Sequence, residues 1–139
     1  EGRCAFYMLH NLCSHKDSKI TTIDFAKPKN LEYNLSICNS NKLKFIQDDF
    51  FNIIPKLLTT KNKYDLIYID GGKDSKITIF QIVNSWKLLK KNGILYLDDY
   101  TWDEKTGKRP KEAIDFFLSL YKNNYDIVFK NSQVAVIKK

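Results

Sequence analysis

The chain has 139 residues, of which 43% are apolar and 28% are charged, and its formal net charge is +7. This length and apolar content suit one globular domain, 1–139, with a buried core and no linker. No apolar run reaches the about 18 residues of a membrane span, and no stretch has the residue order of a secretion signal. We therefore expect a cytoplasmic protein without a membrane partner.

The positive charge does not indicate a nucleic-acid partner. Only Arg3 and Arg109 are arginines, and the lysines are scattered along the chain. Because arginine is the residue best suited to bidentate recognition of bases and phosphates, a solvated lysine surface is the better interpretation. The three cysteines, Cys4, Cys13 and Cys38, are an odd number without metal-ligand spacing, which favours reduced thiols.

The first half of the chain alternates between helical and extended patterns. The apolar spacing predicts helices over residues 3–14, 30–38 and 50–58, and strands over 19–23 and 43–47. Asp49 is expected to cap the last of these helices with its carboxylate. Pro55 lies inside that helix and predicts that the helix is short or bent there.

The second half continues the alternation. It predicts strands over 64–69, 94–100, 125–129 and 133–137, and helices over 75–89 and 109–122. The sequence KKNG at 90–93 is typical of a basic helix end with a glycine stop. KNS at 130–132 has the length of a tight hairpin loop. Together the elements predict an α/β sandwich with a mostly parallel sheet and a C-terminal antiparallel hairpin.

Several predicted strands end on carboxylates. Asp24, Asp70, and Asp98 with Asp99 end three of them, and Asp48 follows a fourth. Each aspartate alone is more often a turn or capping residue. However, parallel sheets bind ligands beyond the C-terminal ends of their strands, so these carboxylates would gather along one edge. Crowded carboxylates need a cation or hydrogen-bond donors, and a hydroxyl-rich ligand or a metal would meet that need.

These segments carry a family resemblance. YDLIYIDGG, then NSWKLLKKNGILYLDDYTW, then RPKEAIDFFLSLYK and a hairpin resemble the class I S-adenosylmethionine-dependent methyltransferases. They are similar in particular to small-molecule O-methyltransferases, whose fourth strand ends YIDG and whose fifth ends DDY. The resemblance implies a Rossmann-like fold and methylation of an oxygen on a small-molecule acceptor or a sugar.

The family's first strand and glycine-rich loop would precede residue 1. Relative to the family, the sequence is therefore N-terminally incomplete. Upstream residues, a second copy in a homo-oligomer, or another partner chain would complete the sheet, or else the protein no longer binds the cofactor.

The resemblance implies a site for S-adenosylmethionine. Asp24 matches the acidic residue that holds the ribose hydroxyls, and a carboxylate suits that role because it only accepts hydrogen bonds. Asp48 matches the residue that contacts the adenine amino group, and Phe50 would add apolar contact. Gly2 matches the last glycine of the glycine-rich loop. Asp70 is a further candidate for cofactor contact.

The resemblance also implies a catalytic centre with a metal. In metal-dependent relatives the carboxylates that match Asp70 and Asp98 or Asp99 bind a divalent cation. Magnesium there would hold a substrate hydroxyl and favour its ionisation. Asp70 and Lys73 are the candidate catalytic residues, although Lys73 stands where the family often has a histidine. A protonated lysine is no base, so a surface role for Lys73 is the alternative.

A second function stays open. The missing glycine-rich loop and Lys73 in place of histidine also suit a catalytically inactive, methyltransferase-like component of a larger complex. Trp102 either lines a substrate pocket or covers the sheet edge. A nucleic-acid methyltransferase ranks last, because the chain has no aromatic-flanked catalytic tetrapeptide of the NPPY type.

Overall fold

A computed structural model describes residues 2–27, 29–38, 41–102 and 109–139. It divides the chain into two compact units, Glu1–Pro55 and Lys56–Lys139, which we describe in turn. A single domain over 1–139 stays a prediction. Among the described residues, no helix is long and apolar enough to cross a membrane.

The first unit is built on a pair of parallel strands. Its elements are α1 (Arg3–Asn11), β1 (Ile20–Asp24), α2 (Lys29–Cys38), β2 (Leu43–Gln47) and the start of α3 (Phe50–Thr59). Strands β1 and β2 run parallel, with Ile20 opposite Leu43 and Asp24 opposite Gln47. The C-terminal ends of both strands therefore lie at the same edge.

Two helix ends in this half test the predicted boundaries. Helix α1 ends at Asn11, three residues before the predicted end, and the Asn11 amide donates to the carbonyl oxygen of Tyr7 at 2.8 Å. Such side-chain bonds compete with the helical backbone pattern. The predicted cap of α3 is confirmed, because the Asp49 carboxylate accepts from the Phe51 N–H at 2.9 Å. Pro55 lies inside α3, which has ten residues and ends at Thr59, one residue beyond the predicted end, and a bend at Pro55 stays a prediction.

The second unit is built on a four-stranded mixed sheet. Its elements are β3 (Tyr64–Ile69), α4 (Ser75–Leu88), β4 (Leu89–Leu97), α5 (Pro110–Leu120), β5 (Tyr125–Lys130) and β6 (Val134–Lys138). The strand order is β3-β4-β6-β5. Strands β3 and β4 are parallel, and β6 is antiparallel to both of its neighbours. The predicted α/β class with a C-terminal hairpin is confirmed.

The junction between α4 and β4 corrects one prediction. Residues 90–93 do not form a helix end but belong to β4, which starts at Leu89 opposite Tyr64. The left-handed residue is Asn92, with φ 63°, and not Gly93. Leu89 is 2% exposed, so burial of its side chain favours the extended path that follows the helix directly.

Strand β4 also ends earlier than predicted. It stops at Leu97, and Asp98, Asp99 and Tyr100 follow it in a turn. Asp99 has a φ of 58°, which takes the backbone out of the strand conformation. The carboxylates are thus on a loop beyond the strand and not in the sheet.

The core of the second unit lies between its sheet and helices α4 and α5, which pack against each other. Trp86 of α4 meets Phe117 of α5 edge to face, with ring centroids 5.3 Å apart. Leu95, Leu97 and Val136 of the sheet are at most 1% exposed. This packing holds the C-terminal ends of β3 and β4 on a rigid support.

Candidate functional site

The carboxyl edge of the first unit brings Asp24 and Asp48 together. The Asp48 N–H donates to the Asp24 carbonyl oxygen at 3.1 Å, which continues the parallel pairing past Gln47. The Asp24 Oδ1 accepts from the Ala26 N–H at 3.1 Å and so turns the chain after β1. In the part of the chain that the structure describes, no side chain engages the Asp24 carboxylate.

Asp48 and Phe50 lie at the start of α3. The Asp48 Oδ1 accepts from the Asp49 N–H at 2.7 Å and from the Asn52 amide at 2.9 Å. Phe50 is the first residue of the helix and is half-buried. The predicted adenine-side residues are therefore neighbours at the edge that also holds Asp24.

Gly2 has a conformation that suits glycine. It precedes α1 with φ 78° and ψ 4°, in the left-handed region. A Cβ at Gly2 would lie 2.5 Å from Cδ1 of Leu31, a side chain that is 3% exposed. A side chain at this position would therefore be strained and would collide with Leu31, and the match of Gly2 to the glycine-rich loop stays a prediction.

A cavity of about 510 Å³ lies beside α1 and α2 and is lined by Arg3, Phe6, Asn30, Tyr33 and Asn34. None of the predicted site residues lines it. No sequence motif pointed to it, because its lining comes from two helices whose residues have no shared pattern.

The carboxyl edge of the second unit brings Asp70, Asp98 and Asp99 together. Strands β3 and β4 end side by side, and the Asp98 N–H donates to the carbonyl oxygen of Ile69 at 2.9 Å. Lys73 lies among these carboxylates. Its ammonium donates to Asp70 Oδ1 at 2.7 Å and contacts Asp99 Oδ2.

Asp98 is held by donors of the protein itself. Its Oδ1 accepts from the Gln133 amide at 2.8 Å and from the Asp99 N–H at 2.8 Å, and its Oδ2 accepts from the Tyr68 hydroxyl. The Tyr96 hydroxyl donates in turn to Gln133. Sequence reasoning missed Tyr68 and Gln133. The hairpin register was the available signal for Gln133, since Val134 opposite Leu97 places Gln133 next to Asp98.

Trp102 covers the Lys73 ammonium. The lysine nitrogen lies 5.3 Å from the centroid of the indole ring, a distance at which a cation is attracted to the ring face. Trp102 as a whole residue is 42% exposed, and the side chain of Lys73 is 21% exposed. Lys73 therefore lies against two carboxylates and an aromatic ring. Among the described residues of this unit, the other lysines in ion pairs are at least 36% exposed.

The glycine pair after Asp70 allows a close approach of α4. A Cβ at Gly71 would collide with the amide of Gln81, and one at Gly72 would lie 2.5 Å from Cγ2 of Ile77. The Thr78 hydroxyl donates to the Gly72 carbonyl oxygen at 2.7 Å. The turn that presents Asp70 is thus fixed against the first turns of α4.

The site does not fit a magnesium ion. Magnesium requires about six oxygen ligands at about 2.0–2.1 Å in octahedral geometry. Lys73 bridges Asp70 and Asp99, while Asp98 already accepts three hydrogen bonds. Among the described residues, no group of three or more histidine, cysteine or acidic side chains could hold a metal. The hollow between these residues measures about 10 Å³, room for about one water molecule.

Comparison with known proteins identifies one matching family. The profile described as "Methyltransferase domain" matches residues 1–100. The comparison with curated proteins finds no match.

Several solved structures share the fold. A protein from Corynebacterium glutamicum superposes with a TM-score of 0.71 at 15% identity, over 99% of this chain and 67% of that one. An O-methyltransferase from Bacillus cereus, in complex with S-adenosylhomocysteine, gives a TM-score of 0.67 at 16% identity, over 87% of this chain and 63% of that one.

The MycE methyltransferase of the mycinamycin biosynthetic pathway, in complex with magnesium and S-adenosylhomocysteine, gives a TM-score of 0.65 at 12% identity. It is matched over 86% of this chain and 37% of its own. At these identities the likeness concerns the fold, and the chain spans about two thirds or less of the three proteins.

Proposed function

The chain belongs to the methyltransferase-domain family, whose fold here is that of the class I S-adenosylmethionine-dependent enzymes, and on this premise we propose that it methylates an oxygen of a small molecule or a sugar. S-adenosylmethionine would supply an electrophilic methyl group on its sulfonium. The lone pair of the acceptor oxygen forms the new C–O bond while the C–S bond breaks. The bonding electrons go to sulfur, which yields S-adenosylhomocysteine.

The observation that carries the proposal is the carboxyl edge of the first unit. Asp24 ends β1 and Asp48 follows β2, and these two strands are paired in parallel. Among the described residues, a single backbone N–H donates to the Asp24 carboxylate. An ionised carboxylate that retains free lone pairs can accept hydrogen bonds from both hydroxyls of a ribose. We assign ribose binding to Asp24, adenine-side contacts to Asp48 and Phe50, and a close backbone approach to Gly2.

We assign the acceptor to the carboxyl edge of the second unit. The proton of the acceptor hydroxyl would pass to the Asp70 carboxylate, whose side chain is 48% exposed and can release it to water. A contact of Asp70 with the cofactor stays a prediction. Magnesium is not part of this proposal, because the arrangement of Lys73 and Asp98 does not fit it.

A catalytically inactive domain is the second candidate function. It is favoured by the hydrogen bonds that Tyr68 and Gln133 donate to Asp98, because they turn a predicted ligand-binding carboxylate into part of the fold. Such a domain would act through a partner chain or a second copy of itself, and it would not bind S-adenosylhomocysteine.

Isothermal titration of S-adenosylhomocysteine into the protein, as its gene encodes it, separates the two candidates. The proposal predicts saturable binding to the wild type. Asp24→Ala should weaken binding at least about 100-fold, since two hydrogen bonds to a charged group are lost at about 1.5–3 kcal/mol each.

Asp17→Ala is the matched control, because Asp17 is an exposed carboxylate of the same unit. The control should bind like the wild type. A folded wild-type protein that binds no S-adenosylhomocysteine would refute the enzyme and favour the inactive domain. Equal affinity of wild type and Asp24→Ala would refute the assignment of Asp24.

A further inference from the structure

We propose that Lys73 is a built-in cation that takes the place of a divalent metal between Asp70 and Asp99, so that this chain needs no metal. The inference deepens the proposed function. Only the part that concerns a bond from Lys73 to the acceptor oxygen rests on that function. The statement about metal binding rests on the carboxyl edge of the second unit alone.

The first step concerns charge. Three carboxylates within three positions of the ends of two adjacent strands repel one another, and their repulsion must be offset. Lys73 supplies a positive charge by bonding Asp70 at 2.7 Å and contacting Asp99. A divalent ion between the same two carboxylates would have to displace this ammonium. The like charges of the two cations would then repel each other at close range.

The second step concerns how firmly Lys73 is placed. It follows the Gly71–Gly72 turn, which α4 fixes through Thr78 and through the close approach of Ile77. Trp102 lies over the ammonium at 5.3 Å. These contacts offset the side-chain entropy that the lysine loses when it is held over the carboxylates.

The third step concerns the ligands that a metal would need. Asp98 would have to give up its bonds from Gln133 and Tyr68 to bind an ion. Both donors would then lack their acceptor in a half-buried environment, which is unfavourable. Asp98 therefore belongs to the support of the site, and an ion there would have only Asp70 and Asp99 as protein ligands, both of which Lys73 engages.

The consequence for the reaction follows from the donors of lysine. An ammonium has three N–H groups, and within the described residues two carboxylates engage Lys73. The third can donate to an acceptor oxygen and stabilise the negative charge that develops there as its proton leaves. Lys73 would thus stabilise this negative charge, as the metal ion does in metal-dependent relatives, without acting as a base.

The test is a titration of Mn²⁺, followed by the paramagnetic resonance signal of the free ion, into wild type, Lys73→Met and Lys76→Met. Met has nearly the length of Lys but no charge, and Lys76 is an exposed lysine on α4 three residues away. We expect wild type and Lys76→Met to show no binding below about 1 mM Mn²⁺, and Lys73→Met to bind at least about tenfold more tightly.

Two results would overturn the proposal. One is binding of Mn²⁺ to the wild type with a dissociation constant of about 100 μM or below, which is in the range of weak oxygen-ligand sites, if that binding is lost in Asp99→Asn. The other is equal Mn²⁺ affinity of wild type and Lys73→Met, with circular dichroism verifying that both are folded. If Lys73→Met fails to fold, Lys73→Gln replaces it in the same comparison.

Titration of S-adenosylhomocysteine into the same samples keeps the two proposals apart. Failure of the wild type to bind S-adenosylhomocysteine would refute the proposed function, while the Mn²⁺ result would still decide the role of Lys73.

Discussion

The two carboxyl edges share a sequence pattern but differ in what their aspartates contact. In the first unit, Asp24 is engaged by the backbone N–H of Ala26, and Asp48 by Asp49 N–H and Asn52. In the second unit, Asp98 is held by Tyr68 and Gln133, both distant in sequence. At Asp24 the local contact shapes a turn and leaves the carboxylate able to accept further hydrogen bonds, whereas at Asp98 the long-range contacts make the carboxylate part of the fold.

The difference teaches that a strand ending on aspartate does not by itself define a binding residue. The donors around the carboxylate decide, because each oxygen has a limited number of lone pairs. We therefore expect substitution of Asp24 to affect cofactor binding and substitution of Asp98 to affect stability.

The largest effect on stability is expected at Asp98. Asp98→Ala removes the acceptor of Tyr68, Gln133 and the Asp99 N–H. Because half-buried donors are left unsatisfied, we expect the free energy of unfolding to fall by about 2–3 kcal/mol. Urea denaturation followed by circular dichroism measures this from the midpoint and slope.

Asp24→Ala and Asp65→Ala serve as the comparison. Asp65 is 84% exposed in its ion pair with Lys90, so its loss should change the free energy of unfolding by less than about 1 kcal/mol. Asp24→Ala should likewise cost less than about 1 kcal/mol, since one hydrogen bond to a backbone N–H is lost. Equal losses for Asp98 and Asp24 would contradict the contrast between the two edges.

A smaller effect is expected at Gly2. Gly2→Ala places a Cβ 2.5 Å from Leu31 at a φ of 78°, so either the helix start or Leu31 must move. We expect a loss of about 1–2 kcal/mol in the free energy of unfolding, together with weaker binding of S-adenosylhomocysteine. Ser14→Ala, an exposed position in the same unit, should leave both quantities unchanged. A Gly2→Ala protein as stable as wild type would show that the left-handed conformation is not required.

The smallest effect is expected at Asp115, a surface carboxylate outside both edges. Burial raises the pKa of Asp115, but hydrogen bonds from Lys111, Lys130 and Tyr100 outweigh this and set the pKa below its ordinary value of 3.8. A lowered pKa in the folded state stabilises the protein above the unfolded pKa, and this contribution is lost as pH falls through the folded one. Asp115→Asn should therefore cost about 0.5 kcal/mol at neutral pH, since the side chain is 38% exposed and screened.

Urea denaturation at neutral pH and at a pH well below the ordinary pKa of Asp115 tests the direction of this pKa shift. The difference between wild type and Asp115→Asn should shrink toward zero in acid, once Asp115 is protonated in both the folded and the unfolded state. Asp126→Asn is the control, because the Asp126 side chain is 69% exposed in its ion pair with Lys139. A difference that grows in acid would contradict the direction of the shift.

Most of the fold could be predicted from local patterns. Strand β2 over Leu43–Gln47 and the Asp49 cap agree with the structure, because apolar runs and capping residues act over a few positions. The segment 90–93 could not be predicted this way. Its local sequence resembles a helix end, but pairing of Leu89 with Tyr64 places it in the sheet.

The candidate site was predicted as residue types and not as contacts. The gathering of Asp70, Asp98 and Asp99 follows from parallel strands that end together. The bonds from Tyr68 and Gln133 to Asp98 span 30 and 35 residues, so no local pattern shows them. Lys73 was recognised as a departure from the family, but its place between two carboxylates needed the turn geometry.

The most direct test of the contrast is a crystal structure of the full protein grown with S-adenosylhomocysteine and Mn²⁺. The account predicts ribose hydroxyls on the Asp24 carboxylate, the Lys73 ammonium between Asp70 and Asp99, and no anomalous peak there. A manganese peak between Asp70 and Asp99 with Lys73 turned away, or a ribose placed away from Asp24, would contradict it.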